Sequence, residues 1–234
     1  MTVLFWDIDG TLLTTAKGGV PAWEQAVREV THKEFDLTMF RIAGLTDYQI
    51  AVRTFEHLGV EAGGDTLQRM VRRYEQLLPT FLPQKHGHVM PHVREILELL
   101  RGSDAVRSYL LTGNTRGGAN AKLTHYDLWH YFPDGAFAED ARDRSTIAER
   151  AMALARRAAP VDEERVFVIG DTPHDIDCAN AIGARTIAVA TGGYSLAELQ
   201  AHGAWRVLEQ LPPPHEFLAM IGVGNPEPDA RMPA

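Results

Sequence analysis

The sequence predicts an α/β fold, a doubly wound and mostly parallel sheet with a small all-helical unit inserted near its start. Three observations predict it. Short apolar runs, each bounded by Gly, Thr or Asp, alternate with segments of helical periodicity along most of the chain. Acidic and small polar residues fall where those runs end. One stretch, residues 15–85, carries helical patterns and no convincing strand.

Taken in order, Val3-Leu4-Phe5-Trp6 is the first run, and it stops at Asp7-Ile8-Asp9-Gly10-Thr11. Helical patterns follow over 20–30, 48–58 and 66–81, punctuated by Gly63-Gly64 and Pro79. The chain re-enters the alternating rhythm near Lys85-His86-Gly87-His88. Strands are then expected over 106–112, 166–170 and 186–190, with a weak edge strand over 205–208. Helices are expected over 92–101, 145–157 and 173–182. Runs that are apolar on both faces suit parallel strands covered by helices on both sides. From Gly222 the tail is rich in Pro and Gly and is expected to fray. The expected division is an α/β core over 1–14 and 86–234 with a helical cap over 15–85.

A chain of 234 residues is long enough to bury a hydrophobic core without staples. With 45% hydrophobic and 23% charged residues, it does not have the composition of a mostly disordered protein. The formal net charge of −8 argues against a nucleic-acid partner held by bulk electrostatics. A lone cysteine, Cys178, leaves no internal disulfide and no cysteine-built zinc site, and its apolar neighbours make it a small core residue. No run approaches the roughly 18 apolar residues of a membrane span. The N-terminus lacks the basic region of a signal peptide. The expectation is a cytoplasmic monomer or homodimer with no nucleic-acid or membrane partner.

The residues that carry chemistry sit at the carboxyl ends of expected strands, where open α/β sheets place ligands. Asp7 and Asp9 are two apart, so their side chains leave an extended chain on one side while Ile8 points into the core. Two such acids would repel each other and suffer desolvation unless a cation neutralised them. Asp171, at the end of the 166–170 strand, adds a third carboxylate, and Asp175 follows four residues later. Hard oxygen ligands of this kind suit Mg²⁺ better than zinc. Gly10 permits a sharp turn, and Thr112, Gly113 and Asn114 add neutral donors and close backbone approach. Carboxylates, a divalent cation and converging donors describe phosphoryl transfer. Taken alone, Asp171 reads equally well as a cap for the helix that Pro173 begins.

Asp7-Ile8-Asp9-Gly10-Thr11, Leu111-Thr112-Gly113-Asn114 and the segment from Val168 to Asp175 (VIGDTPHD) resemble three of the four signature motifs of the haloacid dehalogenase superfamily. Their order and spacing resemble its phosphatases with a helical cap inserted after the first motif, on a Rossmann-like core. Gly44-Leu45-Thr46-Asp47 is similar to the phosphoglycolate phosphatase-like branch. The resemblance implies that Asp7 attacks phosphorus and forms an aspartyl-phosphate, and that Asp9 acts as general acid and then general base. It implies Mg²⁺ held by the side chains of Asp7 and Asp171, the backbone carbonyl of Asp9, and Asp175 directly or through water. Thr112, with backbone N–H groups near Gly113 and Asn114, would bind phosphate.

The family's third motif usually supplies a Lys ahead of the helix before the VFVIG strand. Here Ala141-Arg142-Asp143-Arg144-Ser145 has none. Arg144 falls at the corresponding position and keeps the charge with altered geometry; Lys122, after the second motif, is the alternative. The expected function is a Mg²⁺-dependent phosphatase of a small phosphorylated metabolite, phosphoglycolate-like or a sugar phosphate. A phosphosugar mutase would keep Asp7 and Asp9, and a non-catalytic phosphate-binding regulator is the reading from another class. His86, His88 and His92 are expected at the surface rather than on a metal, His174 in solvent, and Trp23 and Tyr74 in cap packing.

Overall fold

The computed structural model describes residues 1–61, 63, 65–139 and 143–224. The elements run β1 (Thr2–Trp6), β2 (Leu13–Thr14), α1 (Gly19–Thr31), α2 (Asp47–Leu58), α3 (Thr66–Phe81), β3 (His88–Val89), α4 (Val93–Arg101) and β4 (Val106–Leu111). They continue with α5 (Arg116–His125), β5 (Gly135–Ala136), α6 (Arg144–Ala158), β6 (Val166–Gly170), α7 (Pro173–Ala181), β7 (Arg185–Val189), α8 (Leu196–Ala201), β8 (Arg206–Leu208) and α9 (Pro214–Met220). The expected fraying tail falls mostly on residues outside those described, as does Gly64.

Six strands form one sheet in the order β5-β4-β1-β6-β7-β8, and every pairing in it is parallel. All five residues of β1 are buried. Their two-residue period divides them between opposite faces: Leu4 and Trp6 join one apolar cluster, Val3 and Phe5 the other. β6 divides likewise, with Phe167 and Ile169 on the first face and Val166 and Val168 on the second. A strand buried on both faces reads as a continuous apolar run, which is why its sequence shows no alternation. The chain winds outward from β1 in both directions, so the ends of β1, β4 and β6 meet at the reversal of strand order, the ligand position of such sheets.

Helices α1, α2 and α3 share a separate apolar cluster that includes Trp23, Val27, Phe55, Met70 and Leu78. Trp23 and Tyr74 meet edge to face with ring centroids 4.9 Å apart. A two-stranded antiparallel ribbon, β2 with β3, ties the start of this helical segment to its end. Neither strand of the ribbon was expected, nor was β5, because two residues are too few to show a period. Pro79 was expected to punctuate, yet it lies inside α3. It stands in the last turn, where its missing N–H forfeits a single ladder bond. The edge strand β8 pairs with β7 as expected.

Candidate active site

The chain leaves β1 through Asp7, whose N–H extends the ladder to the carbonyl of Ile169 at 3.0 Å. Ile8 is fully buried in the same apolar cluster as Leu4 and Trp6, as the spacing requires. Gly10, at φ +85°, closes the turn with its N–H donating to the Leu13 carbonyl at 2.8 Å. A Cβ at Gly10 would lie 2.4 Å from Asp171 Oδ2, and one at Gly192 would lie 1.6 Å from it. Both positions therefore require glycine for the Asp171 carboxylate to stand where it does.

Asp7, Asp171 and Asp175 are buried, and one carboxylate oxygen from each lies within 4.8 Å of the others. Arg144, the first residue of α6, reaches them: its Nη2 donates to Asp7 Oδ1 at 3.3 Å and also to Asp175 Oδ1. Asp175 Oδ2 accepts from the Thr172 hydroxyl at 2.8 Å and the Thr172 N–H at 3.0 Å, as the closing half of a capping box on α7. Asp171 does not cap that helix; Thr172 occupies the cap position, and Thr11 donates its hydroxyl to Asp171 Oδ1 at 3.3 Å.

Three carboxylates around one guanidinium leave the cluster short of positive charge. Burial, with Arg144 opposing it and Asp175 and Asp9 adding to it, pushes the Asp7 carboxyl up to about 7. Burial together with Asp175 and Asp7 pushes Asp171 up to about 9. Burial opposes the charge of Arg144, but Asp175 and Asp7 outweigh it and hold the guanidinium above its ordinary value. A cluster of hard oxygen donors with an uncompensated negative charge, and with space that glycines keep open beside it, fits a divalent cation.

Asp9 lies apart from this cluster. Its Oδ2 accepts from Lys122 Nζ at 2.5 Å and from Asn114 Nδ2 at 2.9 Å. Lys122 also donates to Asn114 Oδ1 at 2.6 Å, and Asn114 Nδ2 donates to Thr112 Oγ1 at 2.9 Å. Burial works against the ammonium of Lys122, but Asp9, Tyr74 and Asp47 outweigh it and raise Lys122 above its ordinary range. Thr112, fully buried one residue beyond β4, also accepts from the Asn114 N–H at 3.2 Å. Arg144 and Lys122, weighed at the sequence level as alternatives, are both present: Arg144 serves Asp7 and Asp175, and Lys122 serves Asp9. Asp140, Ala141 and Arg142, just ahead of Arg144, lie outside the described residues.

Sequence reasoning missed the contacts between the helical segment and the core. Asp47 N–H donates to the Gly113 carbonyl at 2.8 Å, and Asp47 Oδ2 accepts from Thr115 N–H at 2.8 Å. A Cβ at Gly113 would lie 2.9 Å from the Leu45 carbonyl, so this glycine lets the α2 entry loop approach. Burial pushes Asp47 up to about 6, with Lys122 opposing. His174, expected in solvent, is half-buried, and a Cβ on Gly44 would lie 2.1 Å from its ring. Burial lowers the His174 imidazole below its ordinary value. His86 and His88 are exposed, and Cys178 is buried, burial pushing its thiol up to about 12.

The profile of the haloacid dehalogenase-like hydrolases matches residues 3–189, which takes in all of these residues except those of the loop after β7. The chain belongs to the haloacid dehalogenase-like hydrolase family. It is 29% identical over 200 residues to the Probable phosphatase IndB of Dickeya dadantii (strain 3937), covering 85% of each chain. A hydrolase from Pseudomonas syringae shares the fold with a TM-score of 0.68 at 22% identity, over 95% of this chain and 98% of that one. A predicted phosphoglycolate phosphatase from Haemophilus somnus 129pt shares it with a TM-score of 0.71 at 14% identity, over 94% and 98%. The family places the chain among hydrolases, and no helix of the described residues is long and apolar enough to cross a membrane.

Proposed function

We propose that this haloacid dehalogenase-like hydrolase is a Mg²⁺-dependent phosphatase of small phosphate monoesters and works through an aspartyl-phosphate on Asp7. The observation that carries the reading is the buried triad of Asp7, Asp171 and Asp175 around Arg144, with Asp9 standing apart on its own cation. Its named phosphatase relative points the same way. Asp7 and Asp171 would hold Mg²⁺ by their side chains, with Asp9 contributing through its backbone carbonyl and Asp175 directly or through water. Bound there, the cation would supply charge compensation for a phosphate dianion meeting the anionic nucleophile Asp7.

In the first step an oxygen of the Asp7 carboxylate forms a bond to phosphorus and the ester P–O bond breaks. The departing alkoxide takes the proton carried by Asp9 and leaves as an alcohol. In the second step water attacks the aspartyl-phosphate, giving its proton to Asp9, and the Asp7–phosphorus bond breaks. The balance is one ester and one water consumed, one alcohol and one inorganic phosphate formed. Lys122 and Asn114 both bond to Asp9 Oδ2 and hold the carboxyl group in place. The Asp9 side chain is 41% exposed, so substrate and water can reach it. Arg144 and Thr112, with backbone N–H groups near Gly113 and Asn114, orient the phosphoryl oxygens. The helical segment 15–85 acts as a cap: the Asp47 contacts to Gly113 and Thr115 hold it over the site and exclude bulky substrates.

Phosphate release from a panel of small phosphoesters, with Mg²⁺ and with EDTA, tests the proposal. Metal-dependent release that is lost in Asp7→Asn is the expected result. A phosphosugar mutase would return the phosphoryl group to sugar and release none. Release that persists in EDTA, or in Asp7→Asn, would refute the mechanism.

A further inference from the structure

A cavity of about 420 Å³ opens directly above Asp7 and Asp9 and runs up between the core and the helices α1, α2 and α3. That volume lies within the roughly 300–1,000 Å³ that takes a whole small-molecule ligand rather than a phosphoryl group alone. Its two ends differ in chemistry. The core end holds the acids, Asn114, Lys122 and Arg144; the cap end is walled by Val20, Trp23, Leu37, Ile42, Leu45 and Ile50.

Of the polar groups near the cap wall, Trp23 and Asp47 are already spent, while the Tyr74 hydroxyl on α3 also lines the cavity. The indole N–H of Trp23 donates to Thr54 Oγ1 at 3.3 Å, and the Thr54 hydroxyl donates to the Ile50 carbonyl at 2.8 Å. Trp23 therefore offers the cavity ring surface and no donor. The carboxylate of Asp47 accepts from Thr115 N–H. The two buried cations in the lining are committed to carboxylates, Arg144 to Asp7 and Asp175 and Lys122 to Asp9. Lys17 also lines the cavity, but it is exposed, where an ion pair contributes little. A second anionic group carried to the cap wall would meet a neutral Tyr74 hydroxyl but no uncommitted buried cation, a desolvation penalty that apolar atoms avoid.

We infer that this chamber binds the leaving-group half of the substrate and selects a compact apolar alcohol, aryl or branched alkyl, carrying one phosphate. The inference rests on the phosphatase reading and names the substrate class of the same site. Its consequence is a preference that grows with apolar bulk until the chamber is full. Phosphoglycolate and sugar phosphates, whose second halves are anionic or rich in hydroxyls, are the poor substrates of the comparison.

The test is kcat/KM for ethyl, butyl, isopentyl and 2-phenylethyl phosphates against phosphoglycolate and ribose 5-phosphate, with Mg²⁺ present and Asp7→Asn as control. The primary alkyl esters share nearly the same leaving-group basicity, so differences among them report binding in the chamber. Each added methylene is expected to raise kcat/KM by about fourfold. Phosphoglycolate is expected to fall roughly tenfold or more below ethyl phosphate, which has as many carbons and no carboxylate. Ile42→Lys, at a half-buried wall position, is expected to reverse that order, and Val20→Ser to flatten the alkyl trend if the lysine variant does not fold. A flat alkyl series that still depends on Asp7 would overturn the chamber assignment and leave the phosphatase reading standing, as would phosphoglycolate as the best substrate. Silence across every ester, or turnover that survives Asp7→Asn, would overturn both.

Discussion

Two buried cations face the cavity, Arg144 from α6 and Lys122 from α5, and their surroundings differ. Arg144 stands among Asp7, Asp171 and Asp175, all buried, and pairs with only Asp7 and Asp175, so one guanidinium faces three carboxylates. Lys122 pairs with Asp9, whose side chain remains 41% exposed, and with the neutral amide of Asn114. The nearby Asp47 carboxylate is held by a backbone N–H of the core. The first environment is dry and short of positive charge, which suits a nucleophile and a metal. The second is closer to balance and reaches water, which suits a group that must gain and lose a proton.

The variant that breaks this comparison most severely is Asp7→Asn. It removes the attacking oxygen, so kcat is expected to fall by at least roughly 10⁴-fold. Its melting temperature, measured in EDTA, is expected to rise, because one of three crowded carboxylates has gone. Arg144→Ala comes next: it leaves Asp7 and Asp175 buried without their cation and is expected to destabilise the metal-free protein by about 3–5 kcal/mol. Arg144→Lys keeps the charge but loses the fork, and should retain the fold with activity reduced roughly tenfold. Lys122→Met sharpens the contrast. Because Asp9 keeps Asn114 and water, the expected loss is smaller, about 1–3 kcal/mol in urea unfolding. Its activity should suffer in the pH profile more than in KM.

Acidity tests the first environment directly. Asp7, pushed to about 7, and Asp171, pushed to about 9, both bind protons more tightly in the folded chain than their ordinary value of 3.8. The folded metal-free protein therefore holds more protons than the unfolded chain between those limits. The stabilising contribution is full below about pH 4 and is lost as pH rises through about 7 and then about 9. Urea unfolding in EDTA should show that decline, on the order of a few kcal/mol. Mg²⁺ should restore the lost stability at the alkaline end. A metal-free protein equally stable at pH 5 and pH 9 would contradict the charge deficit. The smallest expected effect is that of Asp47→Asn, about 1 kcal/mol, from weakening one hydrogen bond between the helical segment and the core.

The central strands were legible because β1, β4 and β6 are apolar through several residues and end abruptly in Asp or Thr. The three-helix segment was legible from period alone, to within a residue or two at each end. β2, β3 and β5 were not, since two residues carry no pattern and their pairing is decided by distant chain. The acids of the site were readable because residues at strand ends converge in any open parallel sheet. What joins them was harder to read. Lys122 shares the inward face of α5 with Ala119 and Leu123, and a charge at that spacing is a signal of an engaged buried cation. Asp47 shares the inward face of α2 with Ile50 and Ala51 in the same way. Thr191 and Gly192 left no such trace. Thr191 donates its hydroxyl to the Gly10 carbonyl at 2.5 Å, a contact that depends on where the loop after β7 comes to rest.

The most direct test of the account is mass spectrometry of the peptide containing Asp7 after acid quench during turnover with Mg²⁺. The account predicts that this peptide carries one phosphoryl group, that hydroxylamine removes it, and that Asp7→Asn never acquires it. A phosphoryl group found on another residue, or turnover with none detectable while Asp7→Asn remains active, would contradict it.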